Sequence, residues 1–265
     1  MPGYVPQDPS EIDPLVRQLT SRHLDADVAE FERLLNTPAD EAQIHAFLAE
    51  HSYFFNNAIR LFGISPLYSK IRLGSEYEVD FAYFDPGSVG PVWNLIEIES
   101  PKSTLFTKSG DPSSTLNHAM RQVSDWQDWI HENQSYVRHL LPYIDYPFCY
   151  IFAGRRSELT PDTARRLRRL NYDNRMSFEV HSLDWFVSSA RSVAFFLSRG
   201  QGGSWPLPMH AMSHQDLTRG LPPLAHQYVA TFARTAYAET YPAELLEERE
   251  YKYDGQGGGE GEELV

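Results

Sequence analysis

At 265 residues, with 42% hydrophobic and 13% aromatic content, the chain carries enough apolar material for a packed core, which excludes wholesale disorder. Its single cysteine, Cys149, excludes an internal disulfide and a thiolate zinc cluster and fits a reducing compartment. The net charge of −13 weighs on average against an anionic partner, but acids crowd the end from Glu244 onward whereas arginines crowd the stretch from Arg155 to Arg175.

Residues 1–26 read as a lead-in, loosest over the Pro-, Asp- and Ser-rich residues 1–14. A domain over 27–198 then opens on two short packing helices. The first, from Asp27, places Val28, Phe31, Leu34 and Leu35 on one face. Thr37 is the expected N-cap of the second, with Pro38 in its first turn and Ile44, Phe47 and Leu48 facing inward. Strands are expected at Lys70–Leu73, Tyr77–Phe84 and Val92–Ser100, with Asp85-Pro86-Gly87 and Gly90-Pro91 as turn signals between the last two.

A polar loop leads to a helix from about Thr115 to Asn133, capped by Ser113 or Ser114. Leu116, Ala119, Val123, Trp126 and Ile130 recur at helical spacing and should face the sheet, with His118, Gln122, Asp125 and Trp129 on a neighbouring stripe. The apolar run 147–154 suits a strand buried on both faces. An arginine-rich helix bearing Arg165, Arg166, Arg168 and Arg169, a strand MSFEVHSL and a helix from Asp184 to Ser198 follow. Residues 199–223 are rich in Gly and Pro and read as irregular, 224–246 as a C-terminal helix, and 247–265 as an acidic, disordered tail. This order of strands and helices gives an α/β fold. No apolar run nears the roughly 18 residues of a membrane span. The N-terminus has no signal-peptide pattern, so a cytoplasmic protein is expected.

The central strands carry the chemistry. Alternation in YEVDFAYF puts Glu78, Asp80 and Ala82 on one side and Val79, Phe81 and Tyr83 on the other. In WNLIEIES it puts Glu97 and Glu99 together, opposite Ile96 and Ile98. Three carboxylates converging from two strands need a compensating cation, and hard oxygen donors suit Mg²⁺ or Mn²⁺. Such an ion polarises phosphate and acidifies water, and Lys102 just beyond the strand could steady developing charge, which points to phosphodiester hydrolysis. The bland alternative is a solvated strand face whose acids pair with nearby basic side chains, and spacing alone fits both. Gln122 reads either as an orienting amide or as an ordinary surface residue. The arginine run reads either as a nucleic-acid contact or as a solvated face.

Asp80, a turn, a strand ending Glu97-Ile98-Glu99 and a helix bearing Gln122 together resemble the PD-(D/E)XK nuclease superfamily. More closely, the span from about Val28 to Val187 resembles the nuclease domain of the Shedu anti-phage defence proteins. FERLL, AFLAEHSYFF, EVDFAYF, WNLIEIESPK, HAMRQVSDWQDWI, FCYIFAG and FEVHSLDWF carry the likeness, and Gln122 and Trp126 match its glutamine-to-aromatic spacing. The departure is Glu99, which stands where the superfamily pattern has lysine. The resemblance implies a restriction-endonuclease-like mixed central sheet flanked by helices, and a Mg²⁺-dependent DNA endonuclease that self-assembles. Asp80, Glu97 and Glu99 would be its metal ligands, with Lys102 and Gln122 assisting. Glu99 in the lysine position leaves open a degenerate site, in which the fold serves as a nucleic-acid-binding or regulatory module.

Overall fold

The computed structural model describes residues 16–18, 21–37, 39–55, 67–87, 90–199, 206–208 and 211–220. A short strand β1 (Val16–Gln18) precedes helices α1 (Ser21–Asn36) and α2 (Glu41–Glu50). β1 and the start of α1 fall within the expected lead-in, so structure begins earlier than composition suggests. Thr37 does not cap α2. Its backbone N–H and its hydroxyl both donate to the Leu34 carbonyl, closing α1. Asp40 is the cap, accepting the Gln43 N–H at 2.9 Å while the Gln43 side chain accepts the Asp40 N–H at 3.1 Å. A reciprocal box of this kind satisfies two otherwise orphaned donors and is worth about 1 kcal/mol.

After a buried 3₁₀ turn at Ser52–Phe55 come β2 (Tyr68–Leu73), β3 (Tyr77–Gly87) and β4 (Gly90–Ile98). Then follow α3 (Ser114–Glu132), α4 (Gln134–Leu140), β5 (Phe148–Phe152), α5 (Pro161–Asp173), β6 (Phe178–His181) and α6 (Asp184–Arg199). The segment expected to be irregular supplies β7 (Pro206–Pro208), β8 (Met212–Ser213) and α7 (His214–Arg219). An edge strand needs few pairings, and the Met212 N–H reaches the Leu67 carbonyl at 2.8 Å. The expected helix at 224–246 and the tail at 247–265 lie outside the described residues.

The main sheet has the order β6-β5-β4-β3-β2-β8, and β1 pairs with β7 apart from it. β2, β3 and β4 are antiparallel, whereas β4, β5 and β6 are parallel and β8 lies parallel to β2. The sheet is therefore mixed, as expected. The β3–β4 hairpin is longer than predicted, with Pro86↔Pro91 and Gly87↔Gly90 still in register.

Two apolar layers cover it. On one side Leu24, Phe31, Ile44, Phe47 and Phe186 of α1, α2 and α6 meet Phe81, Tyr83, Ile96 and Ile98. On the other, Leu116, Ala119, Val123, Trp126 and Ile130 of α3 meet Val79, Ala82, Leu95, Cys149 and Ile151. The α3 stripe thus faces the sheet as its spacing predicts. No helix among the described residues is long and apolar enough to cross a membrane.

Candidate active site

The strict alternation expected of β3 fails at one place, and the candidate site lies there. Tyr77 and Val79 pack in the α3 layer, but so do Ala82 and Phe84, whereas Phe81 and Tyr83 pack against α1 and α2. Val79 is therefore not on the side of Phe81. β2 slips in the same way: Leu73 and Ile71 face the α3 layer, and so does Tyr68, three residues from Ile71. Between the paired rungs Ser69↔Phe81 and Ile71↔Val79 stand Lys70 and Asp80. Lys70 has φ of 52°, a left-handed conformation that costs a non-glycine residue about 1 kcal/mol or more.

The ladder between β3 and β4 runs to Phe81↔Ile96. Past it the Asp80 side chain takes over, its Oδ2 accepting the Ile98 N–H at 2.8 Å. Its Oδ1 accepts from Lys70 Nζ at 2.6 Å, and the same ammonium stands 3.5 Å from Glu78. From the helical side, His45 stacks on Phe81 with centroids 4.4 Å apart and places Nε2 3.3 Å from the Asp80 carbonyl oxygen. Glu41 lies one turn earlier on the same face of α2, above this spot.

Asp80, Glu97 and Glu99 are 5%, 6% and 8% exposed, so all three acids are inside the protein. That excludes the reading of a solvated strand face. Among the described residues no hydrogen bond or ion pair reaches the Glu97 carboxylate. Burial, then the charges of Asp80, Glu99 and Glu41, push its pKa up to about 10, with Lys70 pulling the other way. Glu99 is raised to about 7 by burial and then by Glu41 and Asp80, opposed by a hydrogen bond from the Ser100 backbone. Glu41 is raised by burial first and Asp80 second, and the Lys70 and His118 charges lower it. Four carboxylates, from α2, β3, β4 and the residue just after β4, thus share one electrostatic environment.

The Glu99 backbone is tied to β5 by its N–H to the Phe152 carbonyl at 2.8 Å. Gly154, at φ of 60°, lets the end of β5 pass under the turn after β4, where a Cβ would strike the Ser103 carbonyl oxygen.

The remaining expected residues are placed less tightly. Gln122 is half-buried on α3, and Lys102 is exposed on the turn after β4. The cation on Asp80 is Lys70, which an ordinary strand reading of SKIRL does not single out. Arg165, Arg166, Arg168 and Arg169 are all exposed on α5, where Asp162 pairs with Arg165 and Arg166 and Asp173 with Arg169.

The donors are of the right kind for a divalent ion: buried hard oxygens with an excess of negative charge. Their positions are not those of a closed site. No three His, Cys, Asp or Glu side chains among the described residues surround a common point, and one Asp80 oxygen is held by Lys70.

Fold and centre together define a mixed-sheet α/β protein with buried acids gathered where its central strands slip. The chain belongs to the Shedu family: the family model described as Shedu protein SduA, C-terminal, matches residues 38–186, more than half of its length. That span includes Glu41, Lys70, Asp80, Glu97, Glu99 and Gln122. No curated protein matches the chain.

Proposed function

We propose that this protein is a DNA endonuclease of anti-phage defence, hydrolysing phosphodiesters at the acidic centre of a restriction-endonuclease-like sheet. It would act with Mg²⁺ or Mn²⁺, as a homo-oligomer in the cytoplasm. The observation that carries the reading is Glu97, a buried carboxylate with no partner among the described residues, set beside Asp80 and Glu99. Such a group favours either a proton or a cation.

Asp80 and Glu97 would hold the ion, with Glu99 as a further oxygen donor or as the base that takes a proton from the attacking water. The bound ion's contribution is polarisation of the phosphate and acidification of water. Gln122 orients that water from α3, and Lys102 steadies the phosphate from the turn after β4. Isosteric changes test this without disturbing the packing. Asp80→Asn and Glu97→Gln should each cut Mg²⁺-dependent nicking of plasmid DNA by about 10²–10³-fold or more, the scale for losing a principal electrostatic group. Full activity in both folded variants would overturn it.

One observation favours a second reading. Asp80 already has its cation in Lys70, as it would in a nuclease fold kept as a non-catalytic nucleic-acid-binding module. DNA would then bind through Arg165, Arg166, Arg168 and Arg169, weakening with salt and indifferent to EDTA. A titration with and without EDTA separates the two readings.

A further inference from the structure

Lys70 stands in the interior of β2 with its backbone in the left-handed region, at φ of 52°. Glycine or asparagine suits that conformation better, so local preference does not explain a lysine there. What the conformation achieves is contact: the ammonium lies 2.6 Å from Asp80 and 3.5 Å from Glu78, while the side chain stays 44% exposed. The ammonium therefore occupies the one oxygen of Asp80 that the Ile98 N–H leaves open, and its stem reaches solvent.

We propose that Lys70 is a built-in counter-ion of the acidic centre and competes with a divalent cation for Asp80. The proposal rests on the reading that the centre takes such a cation. Without one, the ammonium holds the Asp80 side chain in place. When a cation enters, the ammonium must leave Asp80, and its exposed stem gives it room to do so. Apparent cation affinity is then set by how much of the time Asp80 is released.

Calorimetric titration of the full chain with Mn²⁺ tests this directly. Lys70→Gln should bind Mn²⁺ about tenfold more tightly than the unaltered protein, because the competing state is removed. Lys70→Arg should stay near the original affinity, and Glu97→Gln should lose binding. In EDTA, Lys70→Gln should melt below the unaltered protein, and Mn²⁺ should raise its melting temperature by the larger margin. Lys70→Gly, which suits the backbone and also removes the charge, should bind as tightly as Lys70→Gln and decides the matter if the latter does not fold. Equal or weaker Mn²⁺ affinity in the charge-removing variants overturns the counter-ion role alone. Failure of every form, the unaltered protein included, to bind Mn²⁺ overturns the cation reading as well.

Discussion

A buried acid and a half-buried one, both towards the C-terminal ends of the parallel strands, meet opposite fates. Asp184, at the start of α6, accepts from Arg155 Nε at 3.2 Å to both oxygens, from Arg155 Nη2 at 2.9 Å and from the Arg156 N–H at 2.6 Å. Arg155 also donates to the Leu35 carbonyl at 2.6 Å, so a single ion pair ties α6 to the end of α1. Burial pushes the Asp184 carboxyl up, but the bonds from Arg155 and Arg156 outweigh it and hold the group below its usual value. Glu97 has burial and like charges with no such bonds, and it is driven far the other way. The first arrangement is a finished structural clamp. The second is an electrostatic demand that the fold leaves unmet, and proteins keep such demands where charge has to be handled.

The largest expected effect concerns activity. If the contrast is sound, Asp80→Asn and Glu97→Gln lose Mg²⁺-dependent nicking while Asp184→Asn, once folded, retains it. Equal loss in all three would mean that nicking reports only the integrity of the fold.

The next effect is on stability. The folded chain holds the Glu97 proton up to about pH 10, whereas an unfolded glutamic acid releases it near 4.5. Between those values the folded state binds more protons than the unfolded one, so stability falls as pH rises. The penalty is absent below about pH 4.5 and reaches about 3 kcal/mol by pH 7. In EDTA, urea melts at pH 5, 7 and 9 should show this decline in the unaltered protein and a flatter profile in Glu97→Gln. A profile as steep in the variant would clear Glu97 of responsibility.

Much of this was legible in the chain, and the failures trace to tertiary packing that local spacing does not encode. The acids of β3 and β4 and the five-residue apolar stripe of α3 follow from spacing, and the mixed sheet from the family resemblance. What spacing cannot show is a register slip shared by two strands. Nothing in SKIRL marks Lys70 for a positive φ, so strict alternation carried past Val79 puts Phe81 on the wrong side. The lysine expected to assist the acids is Lys102, after β4, whereas the ammonium on Asp80 is that of Lys70, in β2. Glu41 reads as one of several acids at a helix start, and only the docking of His45 on β3 brings it over the centre. Thr37 and Asp40 are both good caps by composition, and the choice between them depends on where α1 ends.

A smaller effect probes the other acid. Arg155→Ala leaves Asp184 with the Arg156 N–H and removes the donor to Leu35. With the pair about a fifth exposed, the loss should be about 2 kcal/mol, below the range for fully buried pairs. Because Asp184 is held below its usual pKa, the stability it contributes is present at neutral pH and disappears as pH falls through its folded value. Denaturation at pH 7 and pH 3 should therefore separate the variant from the unaltered protein strongly at the first and weakly at the second. The same gap at both would assign the loss to packing alone.

The smallest effect on stability is expected on α5, where the acids and arginines are exposed and the helix has no buried residue. Arg165→Gln combined with Arg168→Gln should leave the melting temperature within about 2 °C, as surface changes do. DNA binding is the informative readout. Each phosphate contact removed lowers the slope of log affinity against log salt by about one, so the pair should weaken binding most at low salt and leave it insensitive to EDTA. An unchanged slope would make α5 a solvated face, with Arg165 and Arg166 beside Asp162 and Arg169 beside Asp173. Any DNA contact would then have to be made from another surface.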